Sequence, residues 1–341
     1  MDQVIAALLR GGDAAGEIDL PAWRALWDRL ESGALDRAEV SALLATLSTR
    51  LPAPAPLEAL VVSLRERRSG PEHPAWPGAV NIVGTGGGPR TFNVSTAAAF
   101  VAAAMGVPVV KTGSRAHTGS VGSIDLLDRL GVRLTRSVPD TEDALGEHGI
   151  AFAGPFVYPA TLTRMARALL PLGLKPFGRF LNALGPFLAA VPVSAQVTGV
   201  SSAAPLEPLR HLAATATDRT VWLCANDVGC DELLGFADNV IHTGGDPVTL
   251  SPGDLAPGHG SLDDLAEAHP DSLVPHFLDV LSGRGTTAAT EAVCLNAAAL
   301  AMAGGHAATW PGAFAAATEA VHGGAVVALV DRVRAKAVAR G

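Results

Sequence analysis

The chain has 341 residues, of which 48% are hydrophobic and 17% charged, and its formal net charge is −8. This length and composition predict a globular protein of one large or two modest domains and exclude a disordered chain or a disulfide framework. Because binding to a nucleic-acid backbone needs a basic surface, the acidic balance argues against nucleic acid as a main partner. The longest nearly apolar run, residues 97–110, is too short for a spanning helix, so no membrane partner is predicted.

The amino-terminal stretch MDQVIAALLRGGD lacks the basic start, apolar run and cleavage site of a secretory signal. Cys224, Cys230 and Cys294 show no C-x-x-C spacing. They are expected to be reduced, buried thiols and not zinc ligands. Together these features predict a cytoplasmic protein.

Residues 1–75 carry helical spacing and are predicted to form a small helical domain. Leucines recur there at three- and four-residue steps: Leu26, Leu30, Leu43, Leu44 and Leu47. Asp36 is placed to cap a helix. The Pro- and Gly-rich segment 69–78 is predicted to be the linker that leaves this domain. An alternative assignment adds helices from about residues 160–190 to the same domain.

Residues 76–341 alternate short β-branched runs with helices, which predicts an α/β domain with a mainly parallel sheet. Strands are predicted over residues 80–83, 107–110, 150–153, 195–200 and 221–224. Residues 239–257 are predicted to be a hairpin or an irregular excursion, and 262–337 to be mostly helical. Ligands of such sheets bind at the carboxyl ends of the strands, where the next three motifs fall.

The first motif is GTGGGPRTFNVSTAAAF, residues 84–100. Glycines let main-chain amides approach an anion, and the helix start after Asn93 presents unpaired N–H donors. A glycine-rich turn that only reverses the chain is the alternative. The motif nevertheless favours a phosphate-binding loop.

The second motif, KTGSRAHTGSVGSID at residues 111–125, also runs from a strand through glycines into a helix. It contains two cations, Lys111 and Arg115, and several hydroxyl groups. Two such loops in tandem predict a ligand with two separate phosphate groups.

The third motif is the acidic pair Asp231-Glu232, which follows the predicted strand 221–224. Adjacent carboxylates are most often solvated surface charge. Beside a polyphosphate, however, they are the ligands that Mg²⁺ prefers. The sequence therefore predicts Mg²⁺ as a cofactor that offsets the charge of a leaving group.

The three motifs resemble those of the anthranilate phosphoribosyltransferase family, whose donor loop reads GTGGD…TFN[IV]ST. The likeness continues in KTGSRAHTGSVGSIDLLDRLG, in the Asp-Glu pair and in the segment LSGRGTTAATEAVCLNAAALAMAGG at 281–305. The resemblance implies a helical domain that dimerises and an α/β domain that binds the donor. It also implies transfer of the 5-phosphoribosyl group of phosphoribosyl diphosphate to a small aromatic acceptor.

The resemblance assigns roles to particular residues. Donor contacts are implied for Gly84, Thr85, Gly86, Gly87, Asn93, Ser95, Thr96, Lys111, Thr118 and Ser123. Lys111, Thr118 and Ser123 would face the 5-phosphate, and the glycine loop with Asn93 and Ser95 would hold the diphosphate. Metal ligation is implied for Ser95, Asp231 and Glu232. No general base is assigned.

The departures from the family pattern concentrate on the acceptor side. The Asp that follows GTGG is Gly88 here, and Thr112 and Ser114 replace the His and Asn of K-H-G-N. Tyr158 stands where relatives carry His. The family Arg has no clean counterpart, although Arg179 and Lys175 are near Gly178, the matching position. Acceptor contacts are therefore assigned to Thr112, Ser114, Tyr158 and Arg179, and an altered acceptor is predicted.

Two other readings stay open at this point. A nucleoside phosphorylase shares the architecture but brings inorganic phosphate to a nucleoside. The paired metal-binding carboxylates argue against this alternative. A non-catalytic relative that binds a nucleotide or nucleic acid is disfavoured by the acidic balance and by the presence of Ser95 with Asp231 and Glu232.

Overall fold

The computed structural model describes residues 1–68, 73–113, 122–172, 174 and 177–339, with side chains omitted at 14 and 335–339. The chain divides into two compact units. One comprises Met1–Glu72, Phe156–Ala190 and Ala204–Thr215, and the other comprises His73–Pro155, Val191–Ala203 and Ala216–Gly341.

The first unit is helical. Its helices in the described residues are α1 (Gln3–Arg10), α2 (Gly12–Gly16), α3 (Leu20–Glu31), α4 (Arg37–Thr49), α5 (Pro54–Arg65), α9 (Ala160–Ala168), α10 (Gly178–Leu188) and α11 (Leu206–Thr215). All five predicted leucines are buried, and Asp36 caps α4 in a capping box with Glu39. Residues 204–215, which the sequence analysis left in the α/β part, belong here because α11 packs on α5.

Two tryptophans form the centre of the helical unit. Trp23 and Trp27, both fully buried in α3, stack with ring centroids 5.7 Å apart. Their indole N–H groups donate to Pro56 O at 3.0 Å and to Ser63 Oγ at 2.8 Å. Since a buried indole needs an acceptor, these two bonds fix α5 against α3.

The second unit contains one seven-stranded sheet in its described residues. The strands are β1 (Trp76–Gly84), β2 (Val109–Lys111), β3 (Ile150–Phe152), β4 (Val193–Gly199), β5 (Thr220–Asn226), β6 (Asn239–His242) and β7 (Val248–Leu250). Their order is β3-β2-β1-β4-β5-β6-β7. The first five are parallel, and β6 and β7 are the predicted hairpin, which joins antiparallel. The predicted α/β class is confirmed.

Helices surround this sheet. They are α6 (Val94–Ala104), α7 (Ser123–Leu130), α8 (Val138–His148), α12 (Leu273–Leu281), α13 (Thr287–Ala303), α14 (Trp310–His322) and α15 (Ala325–Ala339), with a 3-10 turn at Leu262–Leu265. Helices α6 and α13 are apolar on nearly all sides and pack together in the core.

The predicted linker over 69–78 is wrong at its carboxyl end. Strand β1 begins at Trp76, whose amide donates to Pro192 O at 2.8 Å, although Pro77 and Gly78 follow it. The register between β1 and β4 is irregular from Trp76 to Val80, which lets the sheet accommodate a proline there. Composition alone did not reveal this irregular strand start.

Among the described residues, no single helix is both long and apolar enough to cross a membrane. Trp310–His322 and Ala325–Arg334 reach the required length only as a pair that is bent by 64°.

Candidate functional site

The glycine loop leaves the carboxyl end of β1, beside the ends of β4 and β5. Gly86 and Gly87 have φ angles of 61° and 81°, which side-chain-bearing residues rarely adopt. Successive amides in such a turn form a concave surface that attracts anions. The amide of Gly86 donates to Asp231 Oδ2 at 2.7 Å, while among the described residues no intramolecular acceptor is recorded for the amides of Gly87 and Gly88.

Thr85 and Ser201 connect the glycine loop to the end of β4. Thr85 is buried; its amide donates to Gly199 O at 2.9 Å and its hydroxyl accepts from the Ser201 amide at 3.0 Å. Ser201 Oγ in turn donates to Gly86 O at 2.6 Å. Both groups of Thr85 therefore hold the loop in this structure, and the assignment of Thr85 as a donor contact stays a prediction.

Gly88 stands where the family pattern has aspartate, and the structure explains why this chain has glycine. A Cβ atom there would lie 2.6 Å from Gly229 O and 2.8 Å from Ser201 Cβ. Both distances are shorter than any normal carbon contact. The loops after β1, β4 and β5 therefore meet at Gly88 in an arrangement that excludes a side chain.

Helix α6 begins just after the glycine loop. The carbonyl of Asn93 accepts from the amides of Thr96 and Ala97, and Ser95 is half-buried. Thr96 is fully buried, and its hydroxyl has no hydrogen-bond partner among the described residues. Thr96 therefore packs the helix start in this structure, and its assignment as a donor contact stays a prediction.

Lys111 ends β2 and reaches beneath the glycine loop. It is buried, and its Nζ donates to Ile82 O and Ser95 Oγ, both at 3.2 Å. Burial lowers the pKa of Lys111 to about 8, against the opposing effect of the negative charges of Glu232 and Asp231. The lysine is thus a countercharge for the acidic pair as well as a candidate phosphate ligand.

The second motif is described only at its two ends. Gly113 lies so close to Ser123, the first residue of α7, that a Cβ at Gly113 would collide with Ser123 Oγ. The end of β2 and the start of α7 therefore lie against each other. Ser114 and Thr118, assigned to the acceptor and the donor, lie outside the described residues.

Thr112 is buried in a chain of polar side chains that crosses the sheet. Its amide donates to Asn81 Oδ1 at 3.0 Å, and its hydroxyl accepts from Asn81 Nδ2 at 3.1 Å. Asn81 also donates to Gln196 Oε1 at 3.0 Å. The assignment of Thr112 as an acceptor contact therefore meets a physical obstacle, because a substrate would have to displace Asn81 from a fully buried position.

Asp231 and Glu232 lie on the turn that follows β5, on the edge of the sheet that carries the glycine loop. Asp231 sits against two glycines: a Cβ at Gly84 would collide with its carboxylate, and one at Gly199 with its carbonyl. Glu232 accepts from Thr91 Oγ1 at 3.3 Å and from Cys230 Sγ at 2.7 Å. The predicted proximity of acidic pair and glycine loop is therefore present.

Asparagine side chains hold the turn that carries the acidic pair, and the sequence analysis did not identify them. Asn226 Oδ1 accepts from the Cys230 amide at 3.0 Å, and its Nδ2 donates to Cys230 O and, at 2.7 Å, to Glu232 O. Asn296 of α13 binds both backbone groups of Leu233, at 3.2 and 2.9 Å. A polar residue at a strand end and one within an apolar helix were the signals that could have found them.

The electrostatics of the acidic pair favour a bound cation. Burial raises the pKa of Asp231, and burial followed by the charge of Asp231 raises the pKa of Glu232 to about 8. Ligand atoms of Cys230, Asp231 and Glu232 all lie within 4.8 Å of one another. Burial also raises the pKa of the Cys230 thiol, which keeps its proton. The remaining oxygen ligands fit a hard divalent ion such as Mg²⁺.

Tyr158 and Arg179 belong to the helical unit. Tyr158 is half-buried two residues before α9, and Arg179 is exposed in the first turn of α10. Lys175 lies outside the described residues. The acceptor assignments are thus divided between the two units, and they stay predictions.

Comparison with known proteins shows the class of protein to which this chain belongs. Residues 77–327 match the family model described as glycosyl transferase family, a/b domain, which agrees with the parallel sheet and its loop site. An anthranilate phosphoribosyltransferase of Methylobacterium nodulans is 33% identical over 315 residues, 91% of this chain and 92% of that protein. One from Bacillus licheniformis is 31% identical over 314 residues, 89% and 90% of the two chains. The chain belongs to the anthranilate phosphoribosyltransferase family and is a phosphoribosyltransferase.

Solved structures agree with this assignment. Anthranilate phosphoribosyltransferase from Thermus thermophilus has a TM-score of 0.80 at 27% identity, covering 99% of this chain and 100% of that one. The Saccharomyces cerevisiae protein, solved in complex with PRPP and Mg, has a TM-score of 0.76 at 20% identity, covering 98% and 97%. At that identity it shows the shared fold alone.

Proposed function

We propose that this protein transfers the 5-phosphoribosyl group of phosphoribosyl diphosphate to a small aromatic acceptor and that the reaction depends on Mg²⁺. The observation that carries the proposal is the contact between the glycine loop and the acidic pair at one edge of the sheet. A diphosphate needs amide donors and a counter-ion at the same place, and these residues offer both. A nucleoside phosphorylase, which binds inorganic phosphate, would use the acidic pair less.

The donor site is proposed to have two ends. The amides of Gly86 and Gly87, with Asn93 and Ser95, take the diphosphate. Lys111 and Ser123 take the 5-phosphate, together with Thr118 of the undescribed segment. Lys111 Nζ also lies 3.2 Å from Ser95 Oγ. The positive charge of the lysine is therefore near the diphosphate end of the site as well.

Mg²⁺ is proposed to be held by Asp231, Glu232 and Ser95. The fit rests on the chemistry of these groups, whose carboxylate and hydroxyl oxygens are the ligands that this hard ion prefers. When bound, the ion supplies positive charge that offsets the charge of the leaving diphosphate. The protein itself holds donor and acceptor in place while positive charge develops on the ribose. A weakly basic aromatic amine needs little activation, so no general base is assigned.

The acceptor is proposed to differ from anthranilate. Its carboxylate would need a cation or strong donors, yet the hydroxyl of Thr112 is already bonded to Asn81 and the family Arg has no clean counterpart. An unpaired buried anion costs several kcal/mol. The proposed acceptor contacts remain Thr112, Ser114, Tyr158 and Arg179, and Arg179 is the cation proposed to meet an acceptor carboxylate.

The helical unit is proposed to form a homodimer contact. Within the described part of the chain, the exposed large hydrophobic side chains belong to this unit: Met1, Leu9, Val62, Leu170 and Leu172. Sedimentation velocity tests this, with a dimer expected and a concentration-independent monomer contradicting it. A cytoplasmic location is proposed as well, and the three buried free thiols agree with it.

The test of the proposed function is a turnover assay. The protein is incubated with phosphoribosyl diphosphate, Mg²⁺ and a panel of aromatic amines and heterocycles, and acceptor-dependent release of diphosphate is measured. Release with at least one member of the panel is expected. For anthranilate, kcat/KM is expected to fall below the ~10⁴ M⁻¹s⁻¹ that is ordinary for an enzyme on its own substrate, and a higher value would contradict the altered acceptor. Phosphorolysis of nucleosides without any transfer would favour the phosphorylase alternative.

A further inference from the structure

The Gly86 amide, one of the N–H donors of the glycine loop, already has an anionic partner inside the protein. Asp231 Oδ2 accepts its hydrogen bond at 2.7 Å. The partner is closely fitted, since Asp231 lies against Gly84 through its carboxylate and against Gly199 through its carbonyl, with no room for a Cβ at either glycine. The carboxylate therefore occupies the position that an oxygen of an incoming anion would take.

Two anions cannot share this donor without cost. An oxygen of a diphosphate that approaches Gly86 N would meet the negative charge of Asp231 at hydrogen-bond distance, and like charges this close repel strongly in a partly buried site. Glu232 places a second carboxyl group nearby; it accepts from Thr91 and Cys230 and is hydrogen-bonded to Asp231, and in the described residues it makes no hydrogen bond to the amides of residues 84–88. Asp231 therefore accepts a hydrogen bond from a glycine amide of the loop, whereas Glu232 accepts from side chains.

We propose that Asp231 is an internal occupant of the Gly86 anion position in the metal-free protein, and that a divalent cation frees this amide for diphosphate by taking the carboxylate. This inference rests on the proposed function, because it gives the order in which that donor site fills. Cation and diphosphate then bind cooperatively, and diphosphate alone binds poorly. Asp231 competes with the ligand before the cation arrives and supports its binding afterwards.

The proposal predicts that one substitution has opposite effects in two buffers. Calorimetry with inorganic diphosphate as the probe compares wild type, Asp231→Ala and Glu232→Gln. In EDTA, Asp231→Ala is expected to bind about tenfold more tightly than wild type, which corresponds to one freed charge-assisted hydrogen bond. In Mg²⁺ the same variant is expected to bind more weakly than wild type. Glu232→Gln replaces the neighbouring carboxyl group but leaves the Gly86 contact, so it controls for the loss of an acidic side chain near the loop.

The proposal would be overturned if, in EDTA, Asp231→Ala raised the affinity for diphosphate no more than Glu232→Gln does. A second measurement needs no variant and covers the case in which Asp231→Ala fails to fold. Hydrogen–deuterium exchange at the Gly86 amide of wild-type protein is compared with and without Mg²⁺, in the absence of phosphate ligands. Faster exchange with Mg²⁺ is expected, and unchanged or slower exchange would overturn the proposal.

Neither experiment contains phosphoribosyl diphosphate or an aromatic acceptor. Absence of turnover together with faster exchange at Gly86 would therefore defeat the proposed function and leave the role of Asp231 intact. Turnover without any change in exchange at Gly86 would defeat the proposed role of Asp231 and leave the proposed function intact.

Discussion

Gly86 and Asp231 lie 145 positions apart in the sequence, yet the amide of one donates to the carboxylate of the other at 2.7 Å. The contact exists because the parallel strands β1 and β5 both end at the edge of the sheet where the loops meet, with β4 between them. It links the two predicted motifs, for anion and for cation, into one site.

Gly88→Asp, which restores the family residue, is expected to destabilise the protein. A Cβ atom would lie 2.6 Å from Gly229 O, so the loops after β1 and β5 must separate. Overpacking of this kind costs about 1–3 kcal/mol. Urea denaturation measures the loss. Gly245→Asp is the matched control, because a Cβ there meets no atom within 4 Å, and equal stabilities of the two variants would show that the collision is absent.

Lys111→Met is expected to change the binding of cation and donor in opposite directions. Methionine keeps most of the stem but removes the charge that faces Glu232 and Asp231, so Mn²⁺ should bind more tightly. Loss of a charge-assisted phosphate contact should cost ~1.5–3 kcal/mol, roughly tenfold to a hundredfold in affinity for phosphoribosyl diphosphate. Inorganic diphosphate should lose less. Calorimetry of the three ligands tests this, and equal losses for both phosphate ligands would move Lys111 to the diphosphate end.

Asn226→Ala is expected to weaken cation binding without removing a proposed ligand. The side chain makes three hydrogen bonds to the turn that carries Asp231 and Glu232. Loss of groups that orient metal ligands typically costs ten- to a hundredfold in affinity. Electron paramagnetic resonance titration with Mn²⁺ measures it, with Asn182→Ala in the helical unit as control. An unchanged Mn²⁺ affinity would mean that the turn keeps its shape without Asn226.

The parts of the fold that follow from repeating patterns could be predicted from the sequence. The leucine spacing of the helical unit and the alternation that indicates a parallel sheet are both present in the structure. Helix α8 was not identified, because most of its residues are polar and Thr141 is its only buried member. The start of β1 at Trp76 was hidden by Pro77 and Gly78, which are typical of linkers.

The site was predictable in its motifs but not in the direction of its side chains. The side chains of Thr85, Thr96 and Thr112 are all buried, and no sequence pattern distinguishes a buried threonine from one that is exposed at the mouth of a site. The roles of Asn226 and Asn296 depend on long-range contacts with the acidic turn, which local periodicity does not encode.

The most direct test of the account is the binding of phosphoribosyl diphosphate, measured by calorimetry in Mg²⁺ and in a chelator. Binding is expected in Mg²⁺ and is expected to be lost or strongly weakened in the chelator and in Asp231→Asn combined with Glu232→Gln, because the polyanion loses its counter-ion. Asp246→Asn, at an exposed position of the β6–β7 hairpin, should behave as wild type. Equal donor affinity with Mg²⁺ and with the chelator would contradict the account.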